Sequence, residues 1–285
     1  MPAPPLTLSQ PNGHPTHPAD ALPGWQRTYQ VSHRVGENGQ FQHVQYQLEL
    51  RLLARKGGIR SYSLAKSHYR LNGEEPENAL DLLHIATAAV LYPLEMDAHP
   101  RKGWQGLRNY TDLLARWPGV KEQQMQLYSG EWMDSYLQSL EGCLFDPLGL
   151  EQALQEDLAL LVLGLPLYGK NGTKEPLLIP RLVSPQGLPV ALELRWDPQA
   201  LTATASIEWR GVAVPDSLGQ QARSELSGGE PETALRVVTR LQGQLEADPL
   251  TGHVRSAHLE LEVVSEGYHQ HTQLEMSTLE DFGHY

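Results

Sequence analysis

The chain contains little that marks an exported or membrane-spanning protein. Its single cysteine, Cys143, cannot form an intrachain disulfide, which is typical of proteins from a reducing compartment. The first 24 residues lack the basic and apolar segments of a secretory signal. The longest apolar run, residues 158–169, is too short to span a bilayer and contains Pro166. These absences predict a cytoplasmic protein without a membrane span.

Basic residues and catalytic motifs are scarce as well. Lys and Arg number 22 against 34 Asp and Glu, which gives a formal net charge of -12. Proteins that bind nucleic acid need clustered basic residues to neutralise phosphate, so nucleic acid is excluded as a partner. The motifs G-x-S-x-G, H-E-x-x-H, C-x-x-C and G-x-G-x-x-G do not occur. We therefore predict no catalytic residues and no cofactor, and we expect Cys143 to be an inert, buried side chain.

Hydrophobic periodicity divides the chain into a tail and one domain. Residues 1–24 are rich in Pro and lack periodicity, which predicts a disordered tail before a single domain over residues 25–285. Apolar and polar residues alternate over 28–72, which predicts antiparallel strands with one buried face. Helical spacing follows over 74–163, and strand-like alternation returns over 175–279.

The helical part begins with a segment whose start and apolar face can be predicted. A helix over 74–90 would carry Pro76 in its first turn. Its apolar face would include Leu80, Leu83 and Thr87. A short hairpin near 91–109 is expected to interrupt the helices that follow.

Aromatic residues in the later helices provide candidate contacts. Asn109 is predicted to cap a helix that Pro118 ends or kinks. Trp132, Tyr136 and Leu140 follow at intervals of four, which is the spacing of one helix face. The stripe is widened by Met133, Leu137 and Leu144. Such a stripe predicts a packing face, and the alternative is a ligand groove or a partner surface. For that alternative we name four binding residues: Trp132, Tyr136, Trp104 and Trp209.

Histidines and glutamates share the segment 258–276, which predicts a hairpin. A turn at Glu266 and Gly267 would pair Ser265 with Tyr268. The resulting register places Leu259 opposite Leu274 on a core face, and sets His258 and His271 opposite Glu275 and Glu262 on the other face. We predict a structural hairpin without a metal. The alternative is a zinc site formed by His269, His271 and Glu262, because alternate strand residues share a face.

One stretch of the sequence resembles known proteins. Residues 91–117 contain a Tyr-Pro-Leu strand (Tyr92, Pro93 and Leu94), a turn, a strand that ends at Asn109, and a helix that ends near Trp117. This pattern resembles uncharacterised bacterial proteins, mostly from Bacteroidota, some of which look like neighbours of contractile injection systems. The resemblance implies an accessory role. The strand–helix–strand plan is also similar to curved-sheet carriers of the lipoprotein-localisation type.

The patterns together predict an α+β fold. Strands from both chain ends would form a large curved antiparallel sheet, with the central helices packed on one face. The predicted function is that of a non-enzymatic cytoplasmic binding protein, an adaptor or chaperone-like accessory factor of a bacterial secretion or contractile injection system, with a protein partner. The alternative is a carrier of a lipid or other apolar ligand in a cavity of the curved sheet. A metal-dependent hydrolase is the third candidate.

Overall fold

The computed structural model describes most of the chain from Trp25 onwards. The described residues are 25–37, 40–99, 103–164, 176–179, 190–193, 204–212, 238–247, 253–265 and 268–279. The predicted tail, 1–24, lies outside them. The strands are β1 (Gln26–Glu37), β2 (Gln40–Lys56), β3 (Ile59–Leu71), β4 (Leu94–His99), β5 (Gly103–Leu107), β6 (Pro176–Ile179), β7 (Val190–Glu193), β8 (Thr204–Val212), β9 (Val238–Ala247), β10 (Val254–Ser265) and β11 (Tyr268–Thr278). The helices are α1 (Ala79–Ala88), α2 (Tyr110–Leu127), α3 (Glu131–Leu144), α4 (Pro147–Glu156) and α5 (Leu158–Gly164).

Strands from both ends of the chain form one sheet. The eleven strands follow the order β5-β4-β3-β2-β1-β11-β10-β9-β8-β7-β6, and each neighbouring pair is antiparallel. β1 therefore lies between β2 and the last strand of the chain, β11. The sheet is curved, and helices pack against it. This architecture confirms the predicted α+β fold class.

Alternation along the strands separates a core face from a polar face. Tyr29 and Val31 of β1 are fully buried, as are Leu48 of β2 and Leu64 of β3. The residues between them point to the other face, because successive strand side chains alternate. Antiparallel sheets commonly have one face against the core and one face in water. The sheet follows that rule, so its core face is where the helices and the candidate site must be sought.

The register predicted for the last hairpin is confirmed. Ser265 pairs with Tyr268, Leu259 with Leu274, and His258 with Glu275. Leu259 and Leu274 are each 1% exposed and belong to the core. The predicted turn residues lie outside the described residues. The register follows from the side-chain period of two, because a slip of one residue would move every leucine to the polar face.

The first helix begins later than its sequence predicts. Asn78 precedes α1, and its side-chain oxygen accepts a hydrogen bond from the backbone N–H of Asp81 at 2.9 Å. This side-chain cap sets the helix start, so the prediction of Pro76 in the first turn is wrong. Leu83 and Thr87 are buried as expected, whereas Leu80 is half exposed.

Asn109 has a different role from the predicted one. It lies at the N-cap position of α2, but its side chain makes no capping hydrogen bond. Its carbonyl oxygen accepts from the N–H of Glu95 at 2.9 Å, and its amide donates to the carbonyl oxygen of Pro93 at 2.8 Å. The predicted start of the helix after Asn109 is therefore confirmed, but the predicted side-chain cap is not, because the asparagine side chain links the helix start to the approach to β4. α2 also continues through Pro118 to Leu127, so the proline does not end it.

Part of the predicted stripe of α3 is buried, and Trp132 is its exposed member. Met133, Leu137 and Leu144 are buried, whereas Trp132 is 51% exposed. Cys143 is also exposed, so the prediction of a buried cysteine is wrong. A helix turns by about 100° per residue, so Trp132, which is next to the buried Met133 in sequence, faces outwards.

Two apolar clusters organise the helical layer. In the first cluster, α4 and α5 pack with the core face of the sheet. In the second, α1, α2 and α3 pack around Trp117, which is 1% exposed. α5 contacts β10 and β11 directly. Among the described residues, no helix has both the length and the apolar character needed to cross a bilayer.

The strand order predicts that the chain is one cooperative unit, and this can be tested with fragments 1–169 and 170–285. Separation removes β11 from β1, which exposes an unpaired strand edge and part of the apolar face. Each fragment alone should be poorly soluble and should lack a sharp melting transition by circular dichroism. Co-expression should restore a cooperative transition. Two fragments that each melt in a two-state manner would contradict this prediction.

Candidate functional site

Three polar side chains interrupt the apolar core face of the first strands. His33 of β1 lies opposite Val44, Tyr46 of β2 lies opposite Val31, and Lys66 of β3 lies opposite Leu48. Leu48 and Val31 are fully buried members of the core. Paired residues of neighbouring strands share a face, so the three polar groups must find their partners inside the protein.

Lys66 forms an ion pair with Asp157, the residue between α4 and α5. Its Nζ lies 2.6 Å from Asp157 Oδ2, and the two side chains are 11% and 24% exposed. The other carboxylate oxygen, Oδ1, accepts hydrogen bonds from the backbone N–H groups of Ala159 at 2.9 Å and Leu160 at 3.2 Å. The carboxylate is thus shared between a strand of the sheet and the first turn of α5. It attaches the helix to the core face.

Aromatic rings surround the lysine ammonium group. Lys66 Nζ lies 4.4 Å from the ring centroid of Tyr46 and 5.4 Å from that of Tyr92. The ring centroids of Tyr46 and Tyr69 are 5.8 Å apart. A cation close to an aromatic ring is attracted by the ring's quadrupole, more strongly where water is excluded. The lysine therefore has one anionic partner and two aromatic partners.

Both members of the ion pair are charged at neutral pH. Burial alone would lower the pKa of Lys66, but attraction to Asp157 and the hydrogen bond between them hold that pKa well above its usual value. Burial would raise the pKa of Asp157, and the charge and hydrogen bond of Lys66 keep it below its usual value. The stability from the pair is lost as pH falls through the lowered pKa of Asp157, or rises through the raised pKa of Lys66.

The chemistry of the site follows from these protonation states. Burial raises the pKa values of Tyr46 and Tyr92, so both phenols keep their protons. A lysine that stays protonated cannot act as a nucleophile or a general base. It can hold an anion through three N–H donors. The arrangement of Lys66 with its tyrosines is therefore suited to binding a negative group.

His33 lies near the pair and stays neutral. Burial lowers its pKa, and the positive charge of Lys66 lowers it further against the opposing effect of Asp157. Its Nε2 atom is buried and has no hydrogen-bond partner among the described residues. A neutral His33 adds no charge to the site, whose charge is set by Lys66 and Asp157.

The aromatic residues named from the sequence lie in different places. Trp104 of β5 packs with the first cluster, and its Nε1 donates to the carbonyl oxygen of Leu160 at 2.6 Å. Tyr136 packs with the second cluster, where its hydroxyl lies 3.1 Å from Thr87 Oγ1. Trp132 is exposed on α3, and Trp209 pairs with Leu241 between β8 and β9. The structure thus places Trp104 against α5 and does not bring it together with Tyr136.

Sequence reasoning missed Lys66 and Asp157. The sequence does single out Lys66. It continues the alternation of Tyr62 and Leu64, so a charged residue stands at a position predicted to be buried and apolar. Asp157 directly precedes an apolar segment, a position where an aspartate often caps a helix. The two residues are 91 positions apart. No local pattern could have paired them.

The polar face of the last hairpin carries loose contacts between histidines and glutamates. His258 Nε2 lies 3.3 Å from Glu260 Oε1, and His269 Nε2 lies 3.4 Å from Glu262 Oε1. These histidine side chains are about half exposed (45% and 55%), so each pair contributes little to stability. Within the described ranges, no three side chains of His, Cys, Asp or Glu come together as metal ligands, and this includes the set of His269, His271 and Glu262.

Two clefts border the described strands, and polar groups dominate their walls. One of about 580 Å³ is lined by residues that include Gln30, Gln45 and Arg70. The other, of about 530 Å³, is lined by Val35, Glu37, Gln40 and Gln42. Pockets for apolar ligands are usually lined by hydrophobic side chains. The buried apolar residues of the sheet lie instead on the core face, where α5 packs.

Comparison with known proteins adds a distant structural similarity. No family model matches the chain, and no curated protein matches it. Among solved structures, the chain is similar to a structure on lipid–protein interactions in lipovitellin, with 8% sequence identity and a TM-score of 0.44. The similarity covers 90% of this chain and 25% of that chain, so this chain spans about a quarter of the lipovitellin chain. A likeness of this degree does not define what the present chain binds.

The Lys66→Met substitution should be strongly destabilising. It leaves the carboxylate of Asp157 buried without a counter-charge, which costs about 3 kcal/mol, the lower end for buried pairs because Asp157 keeps some solvent contact. The double substitution Lys66→Met with Asp157→Asn should be closer to wild type. Urea denaturation measures both. Lys121→Met is the control, because it breaks the more exposed pair with Glu141 and should destabilise the protein far less. Equal losses from the two single variants would contradict the role of the buried pair.

The buried His33 should make the protein sensitive to acid. Because its folded pKa is lowered, the unfolded chain binds the proton first as pH falls below 6.5. Stability is therefore unaffected above that pH and declines below it, by at most about 1.4 kcal/mol per pH unit for one proton. The His33→Leu variant should lose less stability than wild type between pH 7.5 and 5.5 in urea denaturation. Parallel stability curves for the two proteins would show that His33 does not contribute.

Proposed function

We propose that the chain is a carrier that binds an apolar or amphiphilic ligand on the core face of its curved sheet, where α5 lies in this structure. The observation that carries this proposal is the nature of α5. It is a helix of seven residues, LALLVLG, and six of them are buried: Leu158, Ala159, Leu160, Leu161, Val162 and Gly164. The core face thus already accommodates a slender apolar body.

The attachment of α5 is suited to exchange. A helix of this length spans about 10 Å and is too short to be stable without its packing. Among the described residues, two polar contacts attach it to the sheet: the ion pair of Asp157 with Lys66, and the hydrogen bond from Trp104 to Leu160. Its packing in the first cluster is apolar, and the hydrophobic effect has no directional requirement. A ligand of similar apolar surface can replace this packing.

The surface beneath α5 would suit an alkyl chain. Leu48, Leu64, Leu259 and Leu274 are buried on this face. Withdrawal of the helix would expose apolar side chains to water, which is unfavourable until a ligand covers them. Each methylene group that a ligand buries there contributes about 0.8 kcal/mol. Ligand binding and helix withdrawal are therefore coupled, with the helix closing the site when no ligand is present.

Exposed apolar residues of the helical layer favour a second function. Leu127, Trp132, Phe145 and Leu148 are between 51% and 71% exposed. Large exposed apolar side chains on a helical surface are typical of protein contacts when they form a patch. They support the adaptor function expected from the sequence, with a protein partner in a bacterial secretion or contractile injection system. A carrier can use the same surface to deliver its ligand.

The carrier function can be tested with an uncharged apolar dye, Nile red. The wild-type chain should bind it with increased fluorescence. The Trp104→Phe variant should bind it several-fold more tightly, because Leu160 loses its hydrogen-bond donor and α5 is held less firmly. The matched control is Trp132→Phe, which changes an exposed tryptophan on α3 and should leave dye binding unchanged.

Lipid extraction of the protein purified from its native cells provides an independent measurement. Mass spectrometry of the extract should show a co-purifying amphiphile in proportion to the protein. Absence of dye binding in both wild type and Trp104→Phe would contradict the carrier function. Capture of a stable protein partner that requires Trp132, without any dye binding, would favour the adaptor function.

A further inference from the structure

The buried lysine has a partner that belongs to the exchangeable segment. Asp157 immediately precedes α5, and its carboxylate bonds to the first turn of that helix. Lys66 belongs to β3 in the interior of the sheet, between β2 and β4. If α5 withdraws for a ligand, Asp157 leaves with it, whereas Lys66 stays. A buried, charged lysine would then require a new counter-charge, because an unpaired ion in the interior costs several kcal/mol.

We propose that Lys66 is the headgroup site of the carrier, and that the ligand is a singly charged anionic amphiphile whose carboxylate replaces that of Asp157. This inference rests on the function proposed above. The alkyl chain of the ligand lies along the core face, where the leucines of α5 pack in the closed state. Tyr46 and Tyr92 flank the headgroup site, with their rings 4.4 Å and 5.4 Å from the ammonium group.

The segment that occupies the site has the chemistry of such a ligand. Asp157 supplies one carboxylate, and the residues after it, Leu158 to Val162, supply a continuous apolar body. The carboxylate lies 2.6 Å from Lys66 Nζ, which is the distance of a charge-assisted hydrogen bond. An alkyl carboxylate presents the same two parts in the same order. The protein therefore contains an internal analogue of the proposed ligand.

The charge balance of the site favours one negative charge over none. Lys66 contributes one positive charge, and the nearby His33 stays neutral. A neutral amphiphile would fill the apolar face but leave the lysine without a counter-charge. Specific sites reject such a ligand because their own buried polar group is then unpaired. The ligand class is thus distinguished by its headgroup and not by its chain.

The experiment compares dodecanoate, dodecanol and acetate by displacement of Nile red from the full-length protein. Wild type should bind dodecanoate roughly tenfold more tightly than dodecanol, and acetate should not displace the dye. Asp157→Asn should increase dodecanoate affinity by roughly another tenfold, because the competing carboxylate is gone while the asparagine can still accept hydrogen bonds from the helix. The double substitution Lys66→Gln with Asp157→Asn should bind both long-chain ligands equally.

The control is Glu141→Gln, which removes the carboxylate of the more exposed ion pair and should leave the preference for dodecanoate unchanged. Equal affinity of wild type for dodecanoate and dodecanol would overturn the headgroup site but leave the carrier function standing. A preference for dodecanoate that persists in the double variant would also overturn the headgroup site and leave the carrier function standing. The wild-type comparison decides the question even if a variant does not fold. Failure of all ligands to bind would overturn the carrier function itself.

Discussion

Burial of a charged lysine on the core face of the sheet is the constraint around which the helical layer is arranged. Lys66 lies opposite the fully buried Leu48, and its ammonium group must be neutralised there. Asp157 meets this requirement from an extended backbone conformation that separates α4 from α5. An apolar pair would fill the same space at lower electrostatic cost. The ion pair is therefore better explained by the placement of α5 than by stability.

The ion pair and the Trp104 hydrogen bond position different parts of α5. The ion pair fixes the residue before the helix, and the Trp104 hydrogen bond fixes Leu160 in its middle. Trp104 also packs closely against Gly164, where a side chain would collide with the indole ring. Any other residue at position 164 would therefore require the indole ring of Trp104 to move. The helix is held by a few specific contacts over a broad apolar surface, which is compatible with the withdrawal proposed above.

The architecture was predictable from the sequence where the signal is periodic, and the site was not. Alternation identified the core face of β2, and the hairpin register followed from matching Leu259 with Leu274. Side-chain caps were predicted less accurately: Asn78 caps its helix without having been predicted to, and the side chain of Asn109 bonds to the backbone around β4 and not to its own helix. The site depends on Lys66 meeting Asp157, a contact between elements whose packing no local pattern describes.

The position of β1 between β2 and β11 has a consequence for biosynthesis. Tyr29, near the start of the described chain, pairs with Thr278, so this part of the sheet cannot close until the whole domain has left the ribosome. Pairing over such long sequence separations is slow, because the chain loses the entropy of loop closure before the stabilising contacts form. During that interval β1 presents an open edge to other chains. The nascent protein is therefore most exposed to aggregation just before its last strand is made.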